Sequence, residues 1–593
     1  MNSIKRSLSP AVLLMLAPGI VAEAAPKPNV LFILTDDQGF GDLSLTGNPV
    51  LATPNIDTFA GESLWLNHFY VSSVCSPTRA SLLTGRYHLR TGVTDVTRRK
   101  EVMNPSETTL GELFLQNGYR TGYFGKWHNG SVYPETPDGQ GFAEFTGFPY
   151  GHTTRYFDPV LEHNGQPVQK TGYITDVLTD EALGFIGTAA HPEKPFFCFL
   201  SYNAPHTPVM APQELFQKYK QLDPGLTDQS AGIYAMCESL DQNIGRLLSE
   251  LEKRGLKENT LVVFMTDNGP IRGRYNQSLK GVKAQSHEGG VRVPCFWRWP
   301  ARWQTPGMIQ PRLAHIDVLP TLVELFGLDG AQTLDLDGQS FAALLDNPGA
   351  DWPNRHLYTF HFGSPDVIRR AGAVRTDRWL AVSLSGKWEL YDLLADPLQQ
   401  TDLASASLEV LAFLRTEFEA KLASIEPEMQ PGGIPVPVGN PVRPKTLLEA
   451  HDAVLNGSGI AYSYPAGFAH HWITGWTDTA AYPEWTIHVE QAGSYTVVLQ
   501  YGLSPENTNV HLRVCSESGE IQTVLDVPYV PPVIPQPFIL PDEAVKYETR
   551  VWTNRTVGTL HLESGRQTLR IRADKIPGKQ AMDLKAVELI AVQ

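Results

Sequence analysis

At 593 residues the chain exceeds what one hydrophobic core sustains, so two or three domains are expected. Hydrophobic residues at 42% and charged residues at 19% exclude a disordered chain. A formal net charge of −15 argues against a nucleic-acid binder, although an acidic whole can still hold a local basic pocket for an anionic ester.

Residues 1–24 read as a cleaved export signal. Lys5 and Arg6 precede the short apolar run 11–16, and Val21-Ala22-Glu23-Ala24 has the small residues of a cleavage site. The run is too short to cross a bilayer, Pro18 interrupts it, and no later segment is apolar enough to span one. The expected location is periplasmic or extracellular. Five cysteines is an odd count for an exported chain and leaves one thiol over if the rest pair. Cys198, inside Phe196-Phe197-Cys198-Phe199-Leu200, reads as a buried strand residue.

Residues 25–330 alternate apolar runs with helical patterns. Val30-Leu31-Phe32-Ile33-Leu34 leads into Asp36-Asp37, and Leu261-Val262-Val263-Phe264-Met265 leads into Asp267-Asn268-Gly269. Continuous apolar runs predict strands covered on both faces, with helices over 108–117 and 235–253 between them. In such sheets sites form beyond the carboxyl ends of strands, where both acidic pairs fall. The expected class is α/β: a large, mostly parallel sheet flanked by helices, with a small antiparallel α+β subdomain over 331–426. Residues 427–445, rich in Pro and Gly, read as a linker, and alternating strands over 446–593 predict a β-sandwich.

Each chemical residue taken alone has a bland reading: an inert buried thiol, a solvated Asp-Asn-Gly turn, a surface lysine. Their combination does not. Cys75-Ser76-Pro77-Thr78-Arg79, followed by Leu83-Thr84-Gly85-Arg86, resembles the signature of the formylglycine-dependent sulfatases, members of the alkaline phosphatase superfamily. The resemblance implies that a formylglycine-generating or sulfatase-maturing enzyme oxidises Cys75 to an aldehyde. Hydrated, that aldehyde attacks sulfur through one hydroxyl and expels sulfate after deprotonation of the other, splitting one hard step into two. It further implies a metal site of Asp36, Asp37, Asp267 and Asn268, completed by residue 75. All-oxygen ligands favour Ca²⁺, then Mg²⁺, over zinc.

Gly125-Lys126-Trp127-His128, Pro205-His206-Thr207-Pro208 and Glu288-Gly289-Gly290-Val291-Arg292-Val293-Pro294 match further family elements. By resemblance Lys126 contacts sulfate, His128 serves the diol hydroxyl, and His206 lies near the leaving oxygen. Lys283, five residues ahead of Glu288, is the family's further lysine, and Arg79 steadies residue 75. Arg98, Arg99, His152 and Arg155 lie on predicted loops and are candidate substrate contacts.

The resemblance covers 29–423. Beyond it, Trp472, Trp476, Tyr482, Trp485, Tyr495 and Trp552 suit either stacked sugars or a sandwich core, and both readings stay open. With every catalytic candidate upstream, a chain ending near 431 is expected to keep activity on small esters. The leading reading is a secreted hydrolase of sulfate esters on a carbohydrate, without nucleic-acid partners. The alternatives are a formylglycine-dependent phosphonate or phosphodiester hydrolase and, if Cys75 stays unmodified, a non-catalytic binder of sulfated glycans.

Overall fold

The computed structural model describes residues 27–189 and 194–592; the export segment read at 1–24 lies outside them. Ten strands form the main sheet. Its centre is parallel: Thr260–Thr266, Asn29–Thr35, Phe196–Ser201, Arg120–Lys126 and Glu144–Phe148 lie side by side in that order. Antiparallel strands extend both flanks, with Cys295–Arg298 beside Thr260–Thr266 and the hairpin Val160–His163/Gln166–Gln169 beyond Glu144–Phe148.

The apolar runs are continuous because both faces of the sheet are covered. Leu31 and Ile33 pack toward the helices Ile174–Ala189 and Asp228–Lys253, whereas Val30, Phe32 and Leu34 pack with Leu82, Leu113 and Leu322 on the other face. The helix expected over 108–117 runs Leu110–Gln116. Thr109 accepts from the Glu112 N–H while the Glu112 carboxylate accepts from the Thr109 N–H, a reciprocal cap worth about 1 kcal/mol.

Strands Leu357–Phe360, Gly372–Arg375, Trp379–Ser383 and Trp388–Asp392 form the small antiparallel sheet, against which helix Leu408–Ile425 packs. The fully buried Arg375 ties this sheet to the helical turn Glu288–Val291 by donating to Glu288. Two six-stranded sheets then form the sandwich. The stretch read as a linker is partly built into it, because Val436–Val438 adds a parallel strand to Tyr482–Val489. Trp476, Trp485 and Tyr495 are buried in the sandwich core, which decides those three against sugar stacking. All five cysteines are free, so the odd count reflects no disulfide pairing.

Candidate active site

The register of the central strands assembles the site. Thr35 pairs with Thr266, so the next residues, Asp36 and Asp267, leave adjacent strands together. Asp37 takes a left-handed turn at φ 63°, and its N–H donates to Asp267 Oδ1 over 3.2 Å. Lys126 ends its own strand, and His128 and His206 lie on the turns after Arg120–Lys126 and Phe196–Ser201. Cys75 opens helix Cys75–Thr84, whose ten residues are all buried. An N-terminus of this kind favours negative charge at its first residues. The ligand-capable atoms of Asp36, Cys75 and His206 lie within 4.8 Å of one another.

Each buried cation has an acidic partner. Arg79 donates to Asp267 from Nε and Nη2 at 3.1 and 2.9 Å, and from Nη1 to the Lys126 carbonyl and Ser201 Oγ at 2.8 and 2.6 Å. Lys126 Nζ donates to Asp36 at 2.5 Å, and Lys283 Nζ donates to Asp37 at 2.6 Å. Burial raises Asp36 to about 6, with Lys126 opposing, and burial together with Asp36 raises Asp267 to about 6. Burial would raise Asp37 as well, but Lys283 and His206, with hydrogen bonds from Lys283 and Asn268, hold it below the usual carboxylate range.

The acidic group fits a cation. Ligand-capable oxygens of Asp36, Asp37 and Asp267 lie within 4.8 Å of one another. Asp36 Oδ1, Asp37 Oδ2 and Asn268 Oδ1 are buried without a hydrogen-bond partner, a costly arrangement that a positive charge relieves. Carboxylate and amide oxygens are hard donors, suited to Ca²⁺.

The two histidines have defined tautomers. His128 Nε2 donates to the Val96 carbonyl at 3.0 Å, which leaves the buried Nδ1 with a free lone pair. Its ring lies so close to Gly151 that a Cβ there would come within 2.5 Å of Nε2, so only glycine fits. His206 Nδ1 donates to the Thr207 carbonyl at 2.6 Å, and its Nε2 stands 3.8 Å from Asp37. Burial, followed by the charge of Lys126 for His128 and of Lys283 for His206, holds both well below the ordinary histidine value.

Cys75, His128, His152, His206 and Lys283 line one cavity of about 360 Å³. The other three substrate candidates are committed elsewhere. Arg99 makes a buried ion pair with Glu135, Arg98 stacks over Tyr462 with its guanidinium 5.0 Å from the ring centre, and Arg155 donates to the Asp158 carbonyl. Phe468, Ala469, Lys546 and Tyr547, from the sandwich, also line the cavity. A chain ending near 431 would therefore lack part of the cavity wall while keeping Cys75, His128, His206 and Lys283. Nothing in the sequence context of the four sandwich residues marks them, and Ser201, which fixes Arg79, is equally silent.

The sulfatase family profile matches residues 28–328, and the profile for the C-terminal region of N-sulphoglucosamine sulphohydrolase matches 283–425. The chain belongs to the sulfatase family. It is 32% identical over 425 residues to arylsulfatase A of Homo sapiens, covering 65% of this chain and 80% of that protein. It is 30% identical over 423 residues to an ulvan-active sulfatase of Formosa agariphila, covering 67% of this chain and 80% of that one. The crystal structure of Ps i-CgsB in complex with k-i-k-neocarrahexaose superimposes with a TM-score of 0.62 at 28% identity, covering 68% of this chain and 94% of that one. Like its relatives, this sulfatase is a sulfuric ester hydrolase. The sandwich lies beyond both family profiles. Among the described residues no helix is long and apolar enough to cross a membrane.

Proposed function

We propose that this sulfatase is exported and hydrolyses a sulfate ester on a carbohydrate, with Cys75 matured to formylglycine and Ca²⁺ held by Asp36, Asp37, Asp267 and Asn268. The observation that carries the reading is the convergence of Cys75 with three unpartnered acidic and amide oxygens and two lysines. The ulvan-active relative and the neocarrahexaose complex favour a sugar over a small aryl ester.

Formylglycine, once made from Cys75, supplies the nucleophilic oxygen and the hydroxyl whose deprotonation releases sulfate. The cation, once bound, adds positive charge for the sulfate oxygens. The chain's own residues do the rest. Lys126 and Lys283 present ammonium groups to the transferring group, and the helix N-terminus at residue 75 favours its negative charge. Arg79 clamps Asp267 and the Lys126 carbonyl, fixing two sides of the site at once. His128 Nδ1, free of other bonds, accepts the proton of the hydroxyl at residue 75. His206 Nε2 faces the leaving oxygen. The incoming sulfate offsets Lys283 and raises the basicity of this imidazole, so that it carries the proton the alcohol needs.

The test is direct. Mass spectrometry of the Cys75 peptide from active enzyme should show a loss of about 18 Da, the exchange of SH₂ for O. Cys75→Ala should reduce turnover at least about 10⁴-fold with the fold intact. Activity that survives this substitution rules out residue 75 as the nucleophile. Preference for phosphonate monoesters or phosphate diesters over sulfate esters in parallel assays would favour the phosphonate or phosphodiester hydrolase alternative instead.

A further inference from the structure

Part of the pocket wall takes no part in the proposed reaction, and it comes from the sandwich. The loop between Ala461–Tyr462 and Ile473–Thr474 brings Phe468 and Ala469, and the long connection 526–552 brings Lys546 and Tyr547.

Both loops are anchored to the catalytic region. Leu540 is buried in the core on one face of the main sheet, and the Phe538 ring lies 4.8 Å from that of Phe216. The Val209 N–H donates to Glu543, and the Tyr547 hydroxyl donates to Thr207 Oγ1 at 2.9 Å, one residue from His206. On the other loop His470 Nε2 donates to the Lys546 carbonyl at 2.8 Å. Its Nδ1 is therefore an acceptor, and His152 Nε2 donates to it at 2.6 Å. The His152 ring stacks in turn on that of His206, 6.0 Å away. The wall is thus held in register with the leaving-group side of the site.

Lys546 is the charge this wall adds. Its ammonium lies 4.9 Å from the ring centre of Tyr547 and 5.7 Å from those of Tyr464 and Phe468. Among the described residues it has no carboxylate within 4.0 Å and no hydrogen-bond acceptor, whereas Arg79, Lys126 and Lys283 are each neutralised on the floor. Aromatic faces steady an ammonium but leave its donors unused, so a half-buried lysine in this setting is poised for an anion. Placed at the mouth of a site that already takes one sulfate, it has its complement on the same substrate.

We infer that Lys546 binds a second anionic group, sulfate or carboxylate, on the sugar whose sulfate ester is cleaved, so that the sandwich selects polyanionic glycans from within the active-site pocket. The inference rests on the proposed function for the position of the first sulfate, but its test needs no turnover. Calorimetric titration of the full-length, calcium-loaded protein would compare a galactose monosulfate, the corresponding disulfate and a sulfated galacturonate. The dianionic sugars should bind about tenfold tighter than the monosulfate, the worth of one charge-assisted contact. Whichever of the two binds tighter identifies the second group. Lys546→Met should abolish that preference and Lys546→Arg should restore it, which separates a lost charge from a lost fold. A wild-type protein that does not discriminate, or a Lys546→Met protein that keeps the preference or loses both affinities equally, overturns the inference. Absence of sulfatase activity alongside a Lys546-dependent preference would strike the proposed function instead.

Discussion

On the floor of the pocket every cation is held by a carboxylate: Arg79 by Asp267, Lys126 by Asp36, Lys283 by Asp37. On the wall Lys546 has rings around it and, among the described residues, no carboxylate within 4.0 Å, and the loops are held by separate contacts such as that of His152 with His470 and that of Glu543 with the Val209 N–H. The floor is a closed electrostatic network in which each member leaves a partner stranded if it is lost. The wall is a set of separable contacts hung on a second domain. A network of the first kind tolerates almost no change in the chemistry it serves. A wall of the second kind can change its ligand preference through one side chain at little cost to the fold.

The sharpest way to break the comparison is on the floor. Asp267→Ala removes a proposed cation ligand and leaves Arg79 buried without its main partner. Activity should vanish, calcium retained after dialysis should drop, and stability to denaturant should fall by about 3–5 kcal/mol. Retention of full calcium and full stability would show that the floor is less tightly coupled than its geometry implies.

His206 joins the two regions, touching Asp37 on one side and His152 on the other. A sugar alcohol needs a proton as the S–O bond breaks, whereas nitrophenolate leaves without one. His206→Ala should therefore lower kcat/KM by roughly 10²–10⁴-fold on a sugar sulfate and far less on nitrophenyl sulfate. Equal losses on both substrates would move the acid to Lys283 and leave His206 a positioning residue.

The wall alone should give the smallest effect. Burial, then the repulsion a second protonated ring at His470 would exert, holds His152 well below the ordinary histidine value, and burial, then the same repulsion from His471, does so for His470. Lys126, His128 and His206 face the first of them, and Lys546 and Lys585 the second, all disfavouring its charge. Since the folded values are depressed, the unfolded chain binds protons that the folded chain refuses. Stability is therefore full above about pH 6.5 and falls as the medium becomes more acidic. In urea titrations between pH 7 and pH 5.5, His470→Gln should flatten that fall by up to about 1.4 kcal/mol per pH unit, one proton's share. An unchanged slope would mean that the contact between the two histidines does not hold the wall in place.

Much of this protein was legible in one dimension. Val30–Leu34 and Leu261–Met265 were readable as strands because a strand covered on both faces must be apolar throughout, and the acidic pairs after them marked the sheet edge where sites form. The Cys75–Arg86 signature, the Lys126, His128, His206 and Lys283 elements and the acidic pairs were readable as candidates because they resemble the sulfatase family's elements in type and order. The tertiary structure decided the rest. Only the pairing of Thr35 with Thr266 brings Asp36 beside Asp267, 231 residues along the chain. Only packing shows that Arg99 serves Glu135, and that Trp476 and Trp485 serve a core. Phe468, Lys546 and Tyr547 carry no motif, since any loop can hold such residues. Their place in the pocket follows from Leu540 and Glu543 docking a distant domain, and a contact between domains leaves no periodicity or spacing in the sequence to be read.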